Sequence, residues 1–329
     1  MYKNLEIKNF KSIKELKLNT KKVNLFIGKP NVGKSNILEA LGLFNLWYVY
    51  NINDGLKSLV RLDFIENLFY DNLSLSPFQI SLDTIKIEAI IEDRFKYLNL
   101  SVTENDKQID FLSYSQGLVS NNKSAISQDR DYKIYKYIYN PKVKYRDKSS
   151  KFLLPIFGEN LFAVLNNHQE IYDFVAKYFN EYGLNLVYDV KDNQFEIQKM
   201  IKNRFYKYPY SSVADTIQKM IFYRVAIETN KDSVLIFEEP EANSFPLYTK
   251  ELASVISSDE TNQFFLSTHS PYLLNNLIAE TEPQNLNLVL VYYEDYQTKI
   301  KVFSEEEILN VRDTEEDLLV NLNKYLDEK

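Results

Sequence analysis

The sequence predicts an α/β protein built on a mainly parallel sheet. Two observations carry this. Short apolar runs at residues 23–27, 234–237 and 263–267 read as buried strands. Helical-period segments of about ten residues or more follow them, which gives βαβ units. The first of these helices starts after Ser35, where Ile37, Leu38, Leu41, Phe44 and Tyr48 share one face. Later helices are read from Ile217, Ile221 and Val225, from Tyr248, Leu252, Val255 and Ile256, and from Pro271 onward. Late strands are expected at 286–293 and 300–303, and a terminal helix at 314–326.

A different pattern precedes the second half. Leu5 and Ile7, then Ile13, Leu16 and Leu18, read as two short strands, and residues 78–113 alternate as an antiparallel meander. Residues 114–150 are polar, rich in Tyr and Lys and weakly patterned, and are expected to form a mobile insertion. A helical region follows from Leu161 to Tyr182, and 184–199 reads as a strand pair.

Composition narrows the chemistry. The 329 residues are 45% hydrophobic, an ordinary share for a folded chain. No apolar stretch approaches the 18 residues of a membrane-spanning helix. The charged N-terminus does not read as a secretory signal, and a cytoplasmic location is expected. Cysteine is absent and only His168 and His269 are present, so disulfides and Cys- or His-rich metal sites are excluded. The net charge of −7 argues against a global nucleic-acid surface and leaves room for a local basic stripe.

Gly28-Lys29-Pro30-Asn31-Val32-Gly33-Lys34-Ser35 matches G-x-x-x-x-G-K-S/T at every fixed position, between a buried strand and a helix. Glycine allows the tight turn and lets backbone N–H groups approach phosphate oxygens. The following helix aims its partial positive charge at the same anion. Lys34 is expected at the β- and γ-phosphates of ATP, and Ser35 on Mg²⁺.

Ser233 opens an apolar strand that runs into Glu238-Glu239-Pro240-Glu241. Glu238 is expected on the Mg²⁺ side of the nucleotide and Glu239 as acceptor of the attacking water's proton. A third strand ends in Ser267-Thr268-His269-Ser270-Pro271, which places His269 where α/β sheets bind ligands. It is expected to contact the γ-phosphate. His168, with no motif around it, reads as an ordinary loop residue.

Taken in order, Asn9-Phe10-Lys11-Ser12, the glycine loop followed by Asn36, the acidic strand end and the histidine strand end resemble the ABC-type ATPases of the OLD, RecF and SMC kind. The resemblance covers nearly the whole chain. It implies a P-loop NTPase fold of the ABC ATPase head type, with an N-terminal antiparallel β lobe and a small α+β lid insertion. It implies nucleotide contacts from Phe10, Lys11 and Asn36, His269 as the switch histidine, residues 240–243 as the D-loop, and two heads sandwiching two ATP molecules. Gly158, Asn160 and Leu161 resemble the element that precedes the lid in OLD- and RecF-like proteins. Gln79 is the candidate for the Q-loop glutamine. The signature segment departs from the Ser-Gly-Gly-Gln pattern: residues 210–218 hold no glycine. Ser211 or Ser212 is still expected to cap the following helix and bind phosphate, while the missing glycine implies slow turnover.

These readings give one head over 1–329, with a lobe inserted at 114–210 and no C-terminal nuclease domain. Tyr210 through Thr216, Phe222-Tyr223 and Ser244-Phe245-Pro246 resemble small stand-alone ATPases of bacterial defence loci. That implies an antiphage or toxin–antitoxin switch that assembles as a homo-oligomer and controls a separate effector such as a TOPRIM nuclease. The alternatives are a RecF-like repair ATPase that clamps DNA and an ATP sensor without useful turnover. Lys133, Lys136, Lys142, Lys144, Arg146, Lys148 and Lys151 interleave with Tyr132, Tyr135, Tyr137, Tyr139 and Tyr145, a pattern that suits nucleic acid or a protein partner.

Overall fold

A computed structural model of the chain describes residues 1–49, 55–92, 97–115, 118–121, 132–192, 194–314 and 317–327. β1 (Asn4–Phe10) and β2 (Ile13–Asn19) form a hairpin, and β3 (Val23–Ile27) leads into the glycine loop and α1 (Lys34–Gly42). After α2 (Gly55–Leu59) come β4 (Phe78–Leu82), β5 (Ile85–Glu92), β6 (Tyr97–Glu104), β7 (Lys107–Ser115) and β8 (Leu118–Asn121). They extend the hairpin into a seven-stranded antiparallel sheet of order β2-β1-β4-β5-β6-β7-β8. Leu5, Ile7, Ile80 and Ile87 fall on its buried face by simple alternation.

β9 (Ile134–Tyr137) returns to the centre of the molecule. A lid follows: α3 (Leu161–Asn167), α4 (Gln169–Asn180) and an antiparallel sheet of β10 (Asn185–Asp189), β11 (Gln194–Ile201) and β12 (Arg204–Pro209). Then come α5 (Asp215–Thr229), β13 (Val234–Glu238), α6 (Pro246–Ser258), β14 (Gln263–Ser267) and α7 (Pro271–Glu280). The last elements are β15 (Leu286–Glu294), β16 (Gln297–Val302), α8 (Glu305–Thr314) and α9 (Lys324–Asp327).

The central sheet has the order β16-β15-β3-β14-β13-β9, with only β16 antiparallel. β3 and β14 are buried at every position, as strands covered on both faces must be. Alternate residues feed two cores. Leu25, Phe237, Phe264 and Leu288 face α5, α6 and α7; Phe26, Ile236, Phe265 and Val289 face α1 and the antiparallel sheet.

Three expectations need correction. The helix read through Tyr48 ends at Gly42 and continues as a 3₁₀ turn, Leu43–Tyr48. Gly42 has no room for a side chain, because an added Cβ would lie 2.9 Å from Lys136 Cδ. The terminal helix read over 314–326 is instead α8, which ends at Thr314, and α9, with turns at 318–320 and 322–323. The strand pair at 184–199 is present as β10 and β11, and β12 adds a third strand beyond it. Finally, the inserted lobe does not start at 114. All four residues of β9 are buried and pair in parallel with β13, so residues 134–137 belong to the six-stranded sheet. Residues 116–117 and 122–131 of the expected mobile stretch lie outside the described residues.

Candidate nucleotide and metal site

The parallel register lines up the ends of three adjacent strands. Glu238 on β13 pairs with Ser267 on β14, and Ser267 pairs with Phe26 on β3, one residue before the last of its strand. The glycine loop, the two glutamates and His269 therefore leave the sheet side by side at its carboxyl edge, where open α/β sheets bind ligands.

The loop owes its shape to two glycines. Gly28 has φ +147° and Gly33 φ +105°, and an added Cβ would lie 2.2 Å from Val291 O and 2.0 Å from Thr298 Oγ1 respectively. Both therefore need positive φ and a missing side chain. Asn31, at φ 62°, completes the turn. Gly33 caps α1, so the helix starts with its unpaired amides facing the loop. The Thr298 hydroxyl donates to Val32 O at 2.9 Å and lies 2.6 Å from Ser12 Oγ, which accepts from Asn36 Nδ2 at 2.7 Å. Asn36 is thus a clasp between α1 and the β1–β2 turn.

Lys34 is buried, and its Nζ donates to Gly28 O and Lys29 O, both at 2.8 Å. Burial pulls its pKa down from 10.5 to about 8, against the pull of Glu239. Lys29, Pro30 and Asn31 are exposed along the loop, with Lys29 Nζ donating to Asn323 Oδ1 at 2.8 Å; Val32 is half-buried.

The Ser35 hydroxyl is near enough to the Glu238 carboxylate to favour its ionised form. Burial pushes the Glu238 pKa up, but Lys136, Ser35 and Arg61 outweigh it and hold the carboxyl below its usual range. Lys136 Nζ lies 3.7 Å from Glu238 Oε2, and Arg61 Nη2 contacts Oε1. A hydroxyl and an ionised carboxylate near one another beside a glycine loop are a donor set that fits a divalent cation. Among the described residues, no group of three or more His, Cys, Asp or Glu could hold one without the nucleotide.

Glu239 has φ 43°, a left-handed conformation uncommon for a residue with a side chain, and its amide donates to Ser267 O at 3.2 Å. Its Oε1 is 3.6 Å from His269 Nε2, an approach rather than a hydrogen bond. Burial and then the Lys34 ammonium lower the His269 pKa, with Glu239 opposing, so the ring is neutral at pH 7. Glu241 is buried and accepts from the Thr268 hydroxyl and the His269 amide, which fixes the backbone carrying the histidine.

Not every expected residue joins this group. Phe10 is fully buried, with its ring edge-on to Phe78 at 5.2 Å, so it is a core residue and not a nucleotide contact. The Lys11 ammonium is taken up by Glu39 and by Arg61 O at 2.6 Å. Gln79 donates to Glu88 within the antiparallel sheet at 2.6 Å. Ser211 and Ser212 do not cap α5. They sit in a 3₁₀ turn, Tyr210–Ser212, ahead of it; Ser212 Oγ donates to Pro209 O at 2.7 Å and the helix is capped by Ala214. His168 Nε2 lies 3.0 Å from Ser150 O, a loop contact. Asn160 is fully buried and binds Ser149 O, Phe152 O and the Leu154 amide, folding the loop that enters the lid.

Three members of the charge cluster around Glu238 escaped the sequence reading in that role: Arg61, Lys136 and Glu39. Glu39 had a signal, a charge between Leu38 and Ala40 on an otherwise apolar helix, which demands a buried partner. Lys136 was read with the exposed basic stripe because its strand neighbours are tyrosines.

Solved structures share the architecture. An SMC head bound to the C-terminal winged-helix domain of ScpA superposes with a TM-score of 0.54 at 16% identity, covering 94% of this chain and 99% of that one. A Pyrococcus furiosus SMC head with an extended coiled coil, bound to the C-terminal domain of ScpA, gives 0.51 at 14% identity over 95% and 98%. The fold is that of an SMC-head-like P-loop ATPase. An uncharacterized protein of Methanocaldococcus jannaschii is 53% identical over 45 residues, which is 13% of this chain and only 20% of that protein's length. The family described as AAA ATPase domain matches residues 1–221 of the 329, and with the loop, the glutamates and the sheet order in place, the chain belongs to that family.

Proposed function

We propose that this chain is a Mg²⁺-dependent ATPase that works as a nucleotide-gated switch. One observation carries the reading: Lys34, Ser35, Glu238, Glu239 and His269 converge from three adjacent strand ends. The loop amides and Lys34 bind the phosphates. Ser35 and Glu238 hold the metal, which neutralises phosphate charge and orients the γ-phosphate. Glu239 takes the proton of the attacking water, and neutral His269 donates toward the γ-phosphate.

In this reading 1–329 is a single head whose inserted lobe begins after β9, and the protein is cytoplasmic. ATP draws two or more copies together, with Ser211 and Ser212 on the exposed turn reaching the nucleotide of the facing copy. The glycine-free turn supports slow hydrolysis. The resemblance to stand-alone defence ATPases such as the AriA component of the PARIS antiphage system supports an antiphage or toxin–antitoxin role over a separate effector such as a TOPRIM nuclease. The SMC heads that share the fold were solved with a partner protein, which supports a protein partner here.

Lys34→Ala is expected to abolish nucleotide binding, measured by titration with a fluorescent ATP analogue. Glu239→Gln is expected to keep binding, lower phosphate release by at least about 100-fold and trap the oligomer on a sizing column. Unchanged turnover in Glu239→Gln would overturn the catalytic assignment. A second reading, a DNA clamp of the RecF kind, is favoured by the exposed run Lys142, Lys144, Arg146, Lys148 and Lys151. It requires DNA affinity that ATP strengthens and salt weakens.

A further inference from the structure

We propose that Arg61 and a divalent cation compete for the same carboxylate, so that metal can engage Glu238 only as the Arg61 guanidinium leaves it. This rests on Glu238 being the metal carboxylate. The guanidinium spans two acids, with Nη2 on Glu238 Oε1 and Nε 3.2 Å from Glu39 Oε1. The backbone around it is pinned: Lys136 Nζ donates to Leu59 O at 3.2 Å and Lys11 Nζ to Arg61 O at 2.6 Å.

The three cations of this cluster differ in exposure to solvent. Side-chain exposure is 2% for Lys136, 10% for Lys11 and 72% for Arg61. Lys136 is locked beneath α1 and Lys11 is held by the buried Glu39, so both are permanent. Arg61 reaches Glu238 from solvent on an anchored backbone and retains Glu39 as a resting partner after release. It is therefore the exchangeable counter-charge. A cation that entered with Arg61 still in place would meet three positive side chains against two carboxylates. An exposed ion pair is cheap to break, which sets the size of the competition at about two- to fivefold in affinity.

The test is the ratio of affinities for a fluorescent non-hydrolysable ATP analogue with and without Mg²⁺. In Arg61→Ala the metal-free affinity is expected to stay as in the parent and the affinity in Mg²⁺ to rise about two- to fivefold. Arg61→Lys, which keeps the charge but not the two-carboxylate reach, is expected to fall between them. A purely structural role would move both affinities together and leave the ratio unchanged, which overturns the proposal. So does a fall in metal-free affinity at constant ratio, since it would put Arg61 on the nucleotide itself. Glu238→Gln separates the two readings. If Mg²⁺ still strengthens binding there to the parental degree, Glu238 is not the metal carboxylate. If the Mg²⁺ effect is lost there but Arg61→Ala alone changes nothing, only the competition fails.

Discussion

Nucleotide binding should draw a proton from solvent, and Lys34 sets the pH at which it does so. Burial among loop carbonyls leaves the ammonium with a pKa of about 8 in place of 10.5. Phosphate oxygens beside Nζ favour the charged form and return the pKa toward its ordinary value. A group whose pKa is higher in the complex strengthens binding fully below its free value, and the effect fades as pH rises toward the bound value. Affinity should therefore be level up to about pH 7.5 and fall by nearly tenfold per unit above pH 8, roughly 10- to 30-fold by pH 9.5. Calorimetry at pH 8.7 in two buffers of different ionisation enthalpy should show uptake of most of one proton per nucleotide. Lys34→Arg, charged throughout, should flatten the profile even where its affinity is lower. A parent affinity that is constant from pH 7.5 to 9.5, with no buffer-dependent heat, would refute the argument.

Two further perturbations address the frame around the site. Gly33→Ala forces a methyl against Thr298 Oγ1 at positive φ; it should cost roughly 1–3 kcal/mol of stability and lower nucleotide affinity at least about tenfold. Adding Thr298→Ala should recover part of both losses in thermal melts and titrations. Phe10→Ala should cost about 3–5 kcal/mol in urea unfolding, as a core truncation does. If it weakened nucleotide binding without that loss, the assignment of Phe10 to the core would be wrong.

Much of the site was legible because its residues sit next to one another in sequence. The glycine loop, the Glu238-Glu239 pair and His269 each follow an apolar strand, and backbone alternation alone carries them to one edge of the sheet. The cation cluster was not legible, because it joins Lys11, Glu39, Arg61, Lys136 and Glu238 from five separate elements. Alternation misled at β9. Ile134, Tyr135, Lys136 and Tyr137 look like a solvated amphipathic strand, yet helix α1 covers one face and Phe222 of α5 with the 152–156 segment the other, and the lysine is buried with its charge met by Glu238. Ser211 and Ser212 were placed by analogy at a helix start. The backbone needs Pro209 and a 3₁₀ turn first, which moves both hydroxyls ahead of the helix.

The hydroxyl of Thr298 that secures Val32 O comes from a residue 266 positions further along the chain. β3 likewise lies between β14 and β15, strands made after residue 262. During synthesis, then, the glycine loop is made well before the strands and the hydroxyl that hold it in place. The turn of that loop is completed only once the β15–β16 hairpin has followed, which makes the hairpin a folding partner of the loop.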